Sequence, residues 1–142
     1  MAKQLLKVQG SFHGVHYWPN CPDRFRKTLG KLHDHEIGFV ALIAVSESRQ
    51  IEFLELAASI SSHAGGYLKN NMASSCEDLA AALYHLLHTL YKDDVVSVEV
   101  NEDGGCGSIV VNELYLPQAL TLKEFTSETY REGLRKELGS QC

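Results

Sequence analysis

Leu32-His33-Asp34-His35-Glu36-Ile37-Gly38-Phe39-Val40-Ala41-Leu42-Ile43-Ala44-Val45 is the stretch on which the reading of this chain turns. Residues 35–46 form its clearest strand. The near-continuous apolar run from Phe39 to Val45 fits a strand buried on both faces, or buried on one face and in subunit contact on the other. At the leading end, residues i and i+2 of an extended chain point to the same side, so His33 and His35 present two imidazoles to one point. Two histidines so spaced equally suit a solvated strand entrance, and a third ligand has to come from another element.

The segment upstream offers one. Residues 3–17 read as a long strand with imperfect alternation through Leu6, Val8, Phe12 and His16, interrupted by Gly10 and Gly14, where a bulge or a close backbone approach is expected. If the two strands are antiparallel neighbours, His16 completes a three-nitrogen site with His33 and His35. Three histidines with one open position is the arrangement of catalytic zinc. His13 is out of phase with His16 and points away. Residues 18–32 read as a loop carrying Arg24, Arg26, Lys27 and Lys31.

Downstream the period changes. Leu54, Ala57, Ala58 and Ile60 suit one face of a short helix that Gly65-Gly66 ends. A second helix starts near Ser74, where Ser74 and Glu77 fit a capping box, and carries the stripe Leu79, Leu83, Leu86, Leu87 and Leu90. His85 and His88 flank that stripe as polar neighbours. Val95–Glu102 alternates as a strand, with Val96, Val98 and Val100 on one face. Asp103-Gly104-Gly105 marks a hairpin, and Ser108–Leu116 returns. Leu122–Leu138 suits a third helix. The expected fold class is α+β: a ββααββ unit with a four-stranded antiparallel sheet and two helices on one face. It spans residues 1–118, with a C-terminal helical extension over residues 119–142.

The whole chain bounds the function. Its 142 residues suit one compact domain, and its 44% hydrophobic and 22% charged content is that of a folded globular protein. A formal net charge of -5 with no long basic run argues against nucleic acid as a partner. No apolar run is long enough for a membrane span, and residues 1–6 lack the pattern of a signal peptide. Cys21, Cys76, Cys106 and Cys142 form no CxxC pair, which fits reduced thiols in the cytoplasm better than a disulfide framework.

Taken in order, five short segments resemble the 6-pyruvoyl/6-carboxytetrahydropterin synthases, the tunnelling-fold family. Phe12-His13-Gly14-Val15-His16 is similar to that family's Phe-x-Ala-Ala-His, and Leu32-His33-Asp34-His35 to its Leu-His-Gly-His. Gln50-Ile51-Glu52-Phe53-Leu54-Glu55-Leu56 resembles Val-Ile-Asp-Phe-x-x-Leu. Ser74-Ser75-Cys76-Glu77-Asp78-Leu79-Ala80 resembles Pro-Thr-Ser-Glu-Asn-Leu-Ala, and Val98-Glu99-Val100-Asn101-Glu102 resembles Val-x-Val-x-Glu. The resemblance covers residues 12 to about 110. It implies zinc held by His16, His33 and His35, a pterin or guanine-like ring anchored by Glu102, and substrate contacts from Ser75 and Cys76. A carboxylate can accept two hydrogen bonds from the N–H edge of such a ring, a strong and selective pairing. The resemblance further implies a lyase acting on dihydroneopterin triphosphate in tetrahydropterin or deazaguanine (queuosine-type) synthesis. It also implies a homohexamer made of two stacked trimers.

The chain departs from that pattern in its acid–base residues. The family's catalytic cysteine precedes the first histidine of the pair by four to six residues, where this chain has Leu29, Thr28 and Lys27. Only Cys21, well upstream, could stand in. The family's Asp-His proton relay aligns with Ala64 and Gly65, leaving His63 as the only substitute. Two expectations follow: a zinc enzyme on a pterin or guanine-derived nucleotide, with His63 and Cys21 in proton transfer, or a non-catalytic protein that captures a purine-like metabolite in the same pocket.

Overall fold

The computed structural model describes residues 3–115. The helix expected over Leu122–Leu138 and the expected boundary at residue 118 lie outside them. The chain divides into two units, up to Val111 and from Asn112 onward. The first contains β1 (Gln4–His16), β2 (His33–Val45), α1 (Phe53–Asn70), α2 (Cys76–Tyr91), β3 (Val95–Glu102) and β4 (Gly107–Val111). The strands form one sheet in the order β1-β2-β3-β4, every pair antiparallel. This is the α+β, ββααββ arrangement expected from the sequence.

Strand parity builds the core. Val8 of β1, Ile37, Phe39, Ala41 and Ile43 of β2, and Val98 and Val100 of β3 are all buried on the helix-covered face. Leu56, Ile60, Ala64 and Leu68 of α1 and Leu79, Ala80, Leu83 and Leu87 of α2 cover them. Helix α1 lies over β1, and α2 over β3 and β4. Of β2's apolar run, Val40, Leu42 and Ala44 point the other way and stay half-buried. At Gly10 the sheet has no room for a side chain, because a Cβ there would sit 2.8 Å from the Phe39 ring.

Four local expectations are corrected. Gly65-Gly66 does not end α1, which runs to Asn70. Ala64 and Leu68 continue the buried stripe, and that packing outweighs the roughly 1 kcal/mol cost of each helical glycine. The capping box lies one residue later than Ser74–Glu77: Ser75 Oγ accepts from Asp78 N–H at 3.1 Å, and Asp78 accepts from Ser75 N–H at 3.0 Å. A register shift at Leu42/Ile43 pairs Val95 with Ile43, so Val95 is fully buried and Val96 only half so. Finally, β4 stops at Val111 rather than Leu116. Asn112 Oδ1 accepts from Leu114 N–H at 3.0 Å, and the chain turns into a single 3-10 turn at Glu113–Tyr115.

Among the described residues, no helix is long and apolar enough to cross a membrane. Cys21, Cys76 and Cys106 are free thiols.

The displaced cap yields a direct expectation. Ser75→Ala removes an acceptor from the first turn of α2 and should lower stability by about 1 kcal/mol, measured as a shift in the urea midpoint at constant slope. An unchanged midpoint would show that the box does not hold the helix start.

Candidate metal and ligand site

Parity carries past the core to one end of the sheet. His16 continues the even residues of β1, His33 and His35 the odd residues of β2, and Glu102 the even residues of β3. All four therefore emerge on the helix-covered face. Register brings them together: His16 pairs directly with His33, Gly14 with His35, and Ile37 with Glu102. Gly14 leaves its place beside His35 free of a side chain, and a Cβ there would meet Leu68 at 2.6 Å and Ile37 at 2.9 Å. The three imidazole rings form a triangle with centroids 4.7, 5.2 and 4.9 Å apart. One nitrogen from each lies within 4.8 Å of the others, a spacing that could hold a metal ion.

Each ring is fixed through its other nitrogen. His16 Nδ1 donates to the Ser74 carbonyl at 2.9 Å, and His33 Nδ1 to the Lys31 carbonyl at 2.8 Å. His35 Nδ1 donates to Asp103 Oδ2 at 2.7 Å. All three partners only accept, so each Nδ1 carries a hydrogen, and in the neutral imidazole each Nε2 then presents a lone pair. Outer partners of this kind orient ligating histidines and raise their basicity. His16 is only 8% exposed, and the Nε2 atoms of His16 and His35 are buried without a hydrogen-bond partner. Unpaired buried nitrogens are costly and rare, and three converging imidazole lone pairs suit a divalent metal. The donor set therefore fits the zinc that the sequence leads one to expect.

The tethers come from distant segments. The loop between α1 and α2 is tied to the end of β1 twice, by His16 to Ser74 O and by Tyr17 N–H to Met72 O at 2.9 Å. Asp103 belongs to the β3–β4 hairpin, where Asp103 and Gly104 both have positive φ, +53° and +71°. Gly105 N–H donates to Glu102 O at 2.9 Å across that tight turn. Asp103 Oδ1 also accepts from Glu36 N–H at 2.9 Å. The hydrogen bond from His35, followed by that from Glu36, holds the Asp103 carboxyl below the usual carboxylate range. Asp103 was legible in the sequence only as a turn residue; its signal is a carboxylate in a turn directly after Glu102.

Glu102 stands against the histidines of its own chain. Its Oε1 lies 3.2 Å from His16 Nε2 and its Oε2 3.4 Å from His35 Nε2, close enough for ion pairs yet without hydrogen-bond geometry. The Cys76 thiol donates to Oε1 at 3.5 Å. Burial, then the nearby Glu102 charge, pushes Cys76 up to about 12, so it stays a neutral thiol.

A cavity of about 520 Å³ opens beside these residues. That volume suits a small heterocyclic ligand. His16, His33, Glu102, Ser75 and Cys76 line it, together with Trp18 and Cys106, which the sequence did not single out. Trp18 is 46% exposed and stacks on Phe25 at 5.9 Å, and the Arg24 guanidinium sits 4.7 Å from the Phe25 ring centre.

The two residues expected in proton transfer are placed elsewhere. His63 is exposed on α1, because Ile60, Ala64 and Leu68 take the core-facing stripe. Cys21 is 3% exposed and turned under the loop toward Gly30, where an added Cβ would lie 2.9 Å from its Sγ. Neither lines the cavity. His13 pairs with Asp34 at 2.8 Å on the opposite sheet face.

No protein-family model matches the sequence, and no curated protein is similar to it in sequence. Among solved structures, a 6-pyruvoyl tetrahydropterin synthase from Caenorhabditis elegans is similar in fold. It aligns with a TM-score of 0.56 at 13% sequence identity, covering 80% of this chain and 98% of that one. The chain shares the fold of that synthase, as the resemblance implied.

Proposed function

We propose that the chain is a zinc-dependent enzyme acting on a pterin or guanine-derived nucleotide, of the 6-pyruvoyl/6-carboxytetrahydropterin synthase-like lyase kind. The observation that carries this reading is the set of three imidazoles whose Nδ1 atoms are all tethered to acceptors and whose Nε2 atoms converge. His16, His33 and His35 would hold the metal. A bound zinc ion supplies Lewis-acid polarisation of substrate oxygens. Glu102, lining the cavity beside that triangle, accepts the N–H edge of the ring. Ser75 and Cys76 border the ring at the start of α2, and Trp18 provides an aromatic wall. The three free thiols among the described residues suit the cytoplasm.

A second reading has its own support. His63 and Cys21 do not line the cavity. Without a positioned acid or base, a proton-transfer step loses on the order of 10²- to 10⁴-fold in rate. The same pocket then serves a protein that captures a purine-like metabolite or nucleotide without turning it over.

Assembly belongs to the proposal too. Among the described residues β1 and β4 are the outer strands of the sheet with no further strand beside them, and Leu5, Ile109 and Val111 are exposed. Edge-to-edge closure of several copies into a ring covers both, and two stacked trimers make a hexamer.

The purified protein should carry about one zinc per chain, and His33→Ala or His35→Ala should abolish it in elemental analysis after chelator-free purification; unchanged metal content would remove the site. Trp18 is the only tryptophan, so titration with a pterin should change the intrinsic fluorescence. Turnover of dihydroneopterin triphosphate would then decide for the enzyme, and saturable binding without product for the capturing protein. Light scattering at micromolar concentration should give the mass of six chains, and a monomer mass would refute the ring.

A further inference from the structure

Glu102 stands where a ring anchor alone has no need to stand. With Nδ1 tethered, the neutral His16 and His35 present Nε2 as lone pairs, and both oxygens of the Glu102 carboxylate face them at 3.2 and 3.4 Å. Neither contact has hydrogen-bond geometry, and both nitrogens are buried without a partner. A carboxylate held against two buried acceptor nitrogens is repelled by them, and a shared cation removes that repulsion. The distances agree with a specific arrangement of such a cation. With zinc–nitrogen and zinc–oxygen bonds of about 2.0–2.2 Å, the edge of a ligand tetrahedron is roughly 3.3–3.5 Å. The 3.4 Å separation from Glu102 Oε2 to His35 lies at that edge, and the 3.2 Å separation from Oε1 to His16 just under it, so either oxygen needs only a small shift to become a shared ligand.

We propose that Glu102 is the fourth metal ligand of the resting site, and that a heterocycle entering the cavity draws the carboxylate off the metal. The proposal rests on the metal site argued above and concerns how it opens. The carboxylate has access to both partners, because it faces the histidines and lines the cavity. The N–H edge of a pterin or guanine offers it two charge-assisted hydrogen bonds in place of one metal bond. In that exchange the metal–oxygen bond to Glu102 breaks and the vacated position takes an oxygen of the substrate or water. Closed four-coordinate sites are structural and open ones catalytic. Glu102 therefore makes the site closed at rest and open only when the ring has been recognised.

Cobalt(II) and azide test this without any turnover. Cobalt reports coordination through its visible absorption, and azide reports an open position. Wild-type protein loaded with one cobalt per chain should resist azide. Glu102→Gln keeps the side-chain shape but loses the charge; it should retain cobalt and bind azide at least 10-fold more tightly, with a shifted spectrum. Unsubstituted pterin has the N–H edge but no side chain that could ligate the metal. Its addition to the wild type should raise azide affinity toward that of the variant. Equal azide affinity in cobalt-loaded wild type and Glu102→Gln overturns the fourth ligand while the three-histidine site stands. An azide affinity unmoved by pterin overturns the displacement, and this arm needs no variant. Cobalt binding that is absent, or that survives replacement of all three histidines by alanine, overturns the metal site and this inference together.

Discussion

Everything at the end of the sheet depends on the register between β1 and β2. His16 faces His33 across that pair, with Gly14 opposite His35. Side chains alternate with a period of two, so a slip by one residue would send His16 to the exposed face and His13 to the covered one. The same register aligns Val8 with Ala41 and Phe12 with Ile37, so the packing that fixes the core also fixes the imidazoles. Precision at the site is thus inherited from the apolar packing of the two strands rather than from the polar groups themselves.

Upon that frame the polar groups add orientation. The three Nδ1 tethers use a helix-connecting loop, the strand's own entry and a hairpin turn. Asp103 is the most demanding of them, because its positive φ has to be held by the Gly104-Gly105 turn and by its two bonds to Glu36. A carboxylate on a ligating imidazole differs from a carbonyl there: it adds negative charge behind the ring and makes Nε2 a stronger donor to a cation.

Much of this was legible in the sequence, for a physical reason. Spacings of two within a strand translate directly into a shared face, so His33 and His35 could be read as a pair and His16 as their partner. The alternation of β3 likewise placed Glu102. What could not be read depends on contacts between distant segments or on small local offsets. Gly65-Gly66 looked like a helix end because glycine is a poor helix former, and only packing of Ala64 and Leu68 on the sheet keeps α1 going. Ser74 and Ser75 are equivalent caps by composition, and Asp78 rather than Glu77 chose between them. Trp18 and Cys106 reach the cavity because Trp18 N–H donates to Leu29 O at 2.7 Å, drawing the loop closed, and because the hairpin turns back beside α2.

The loop between α1 and α2 has one more consequence. Ser74 O accepts from His16, and Ser75 caps the helix whose first residue, Cys76, touches Glu102. The cavity and the histidine triangle beside it are therefore stitched from residues 16, 33, 35, 74, 76 and 102–103, far apart along the chain. No fragment lacking either hairpin or helix can contain it. A ligand bound there selects the fully closed chain over every partly opened one, adding about 4 kcal/mol at a thousandfold excess over its dissociation constant. Amide exchange at the start of α2 and at the end of β1 would then slow together on binding, although the two segments are 58 residues apart.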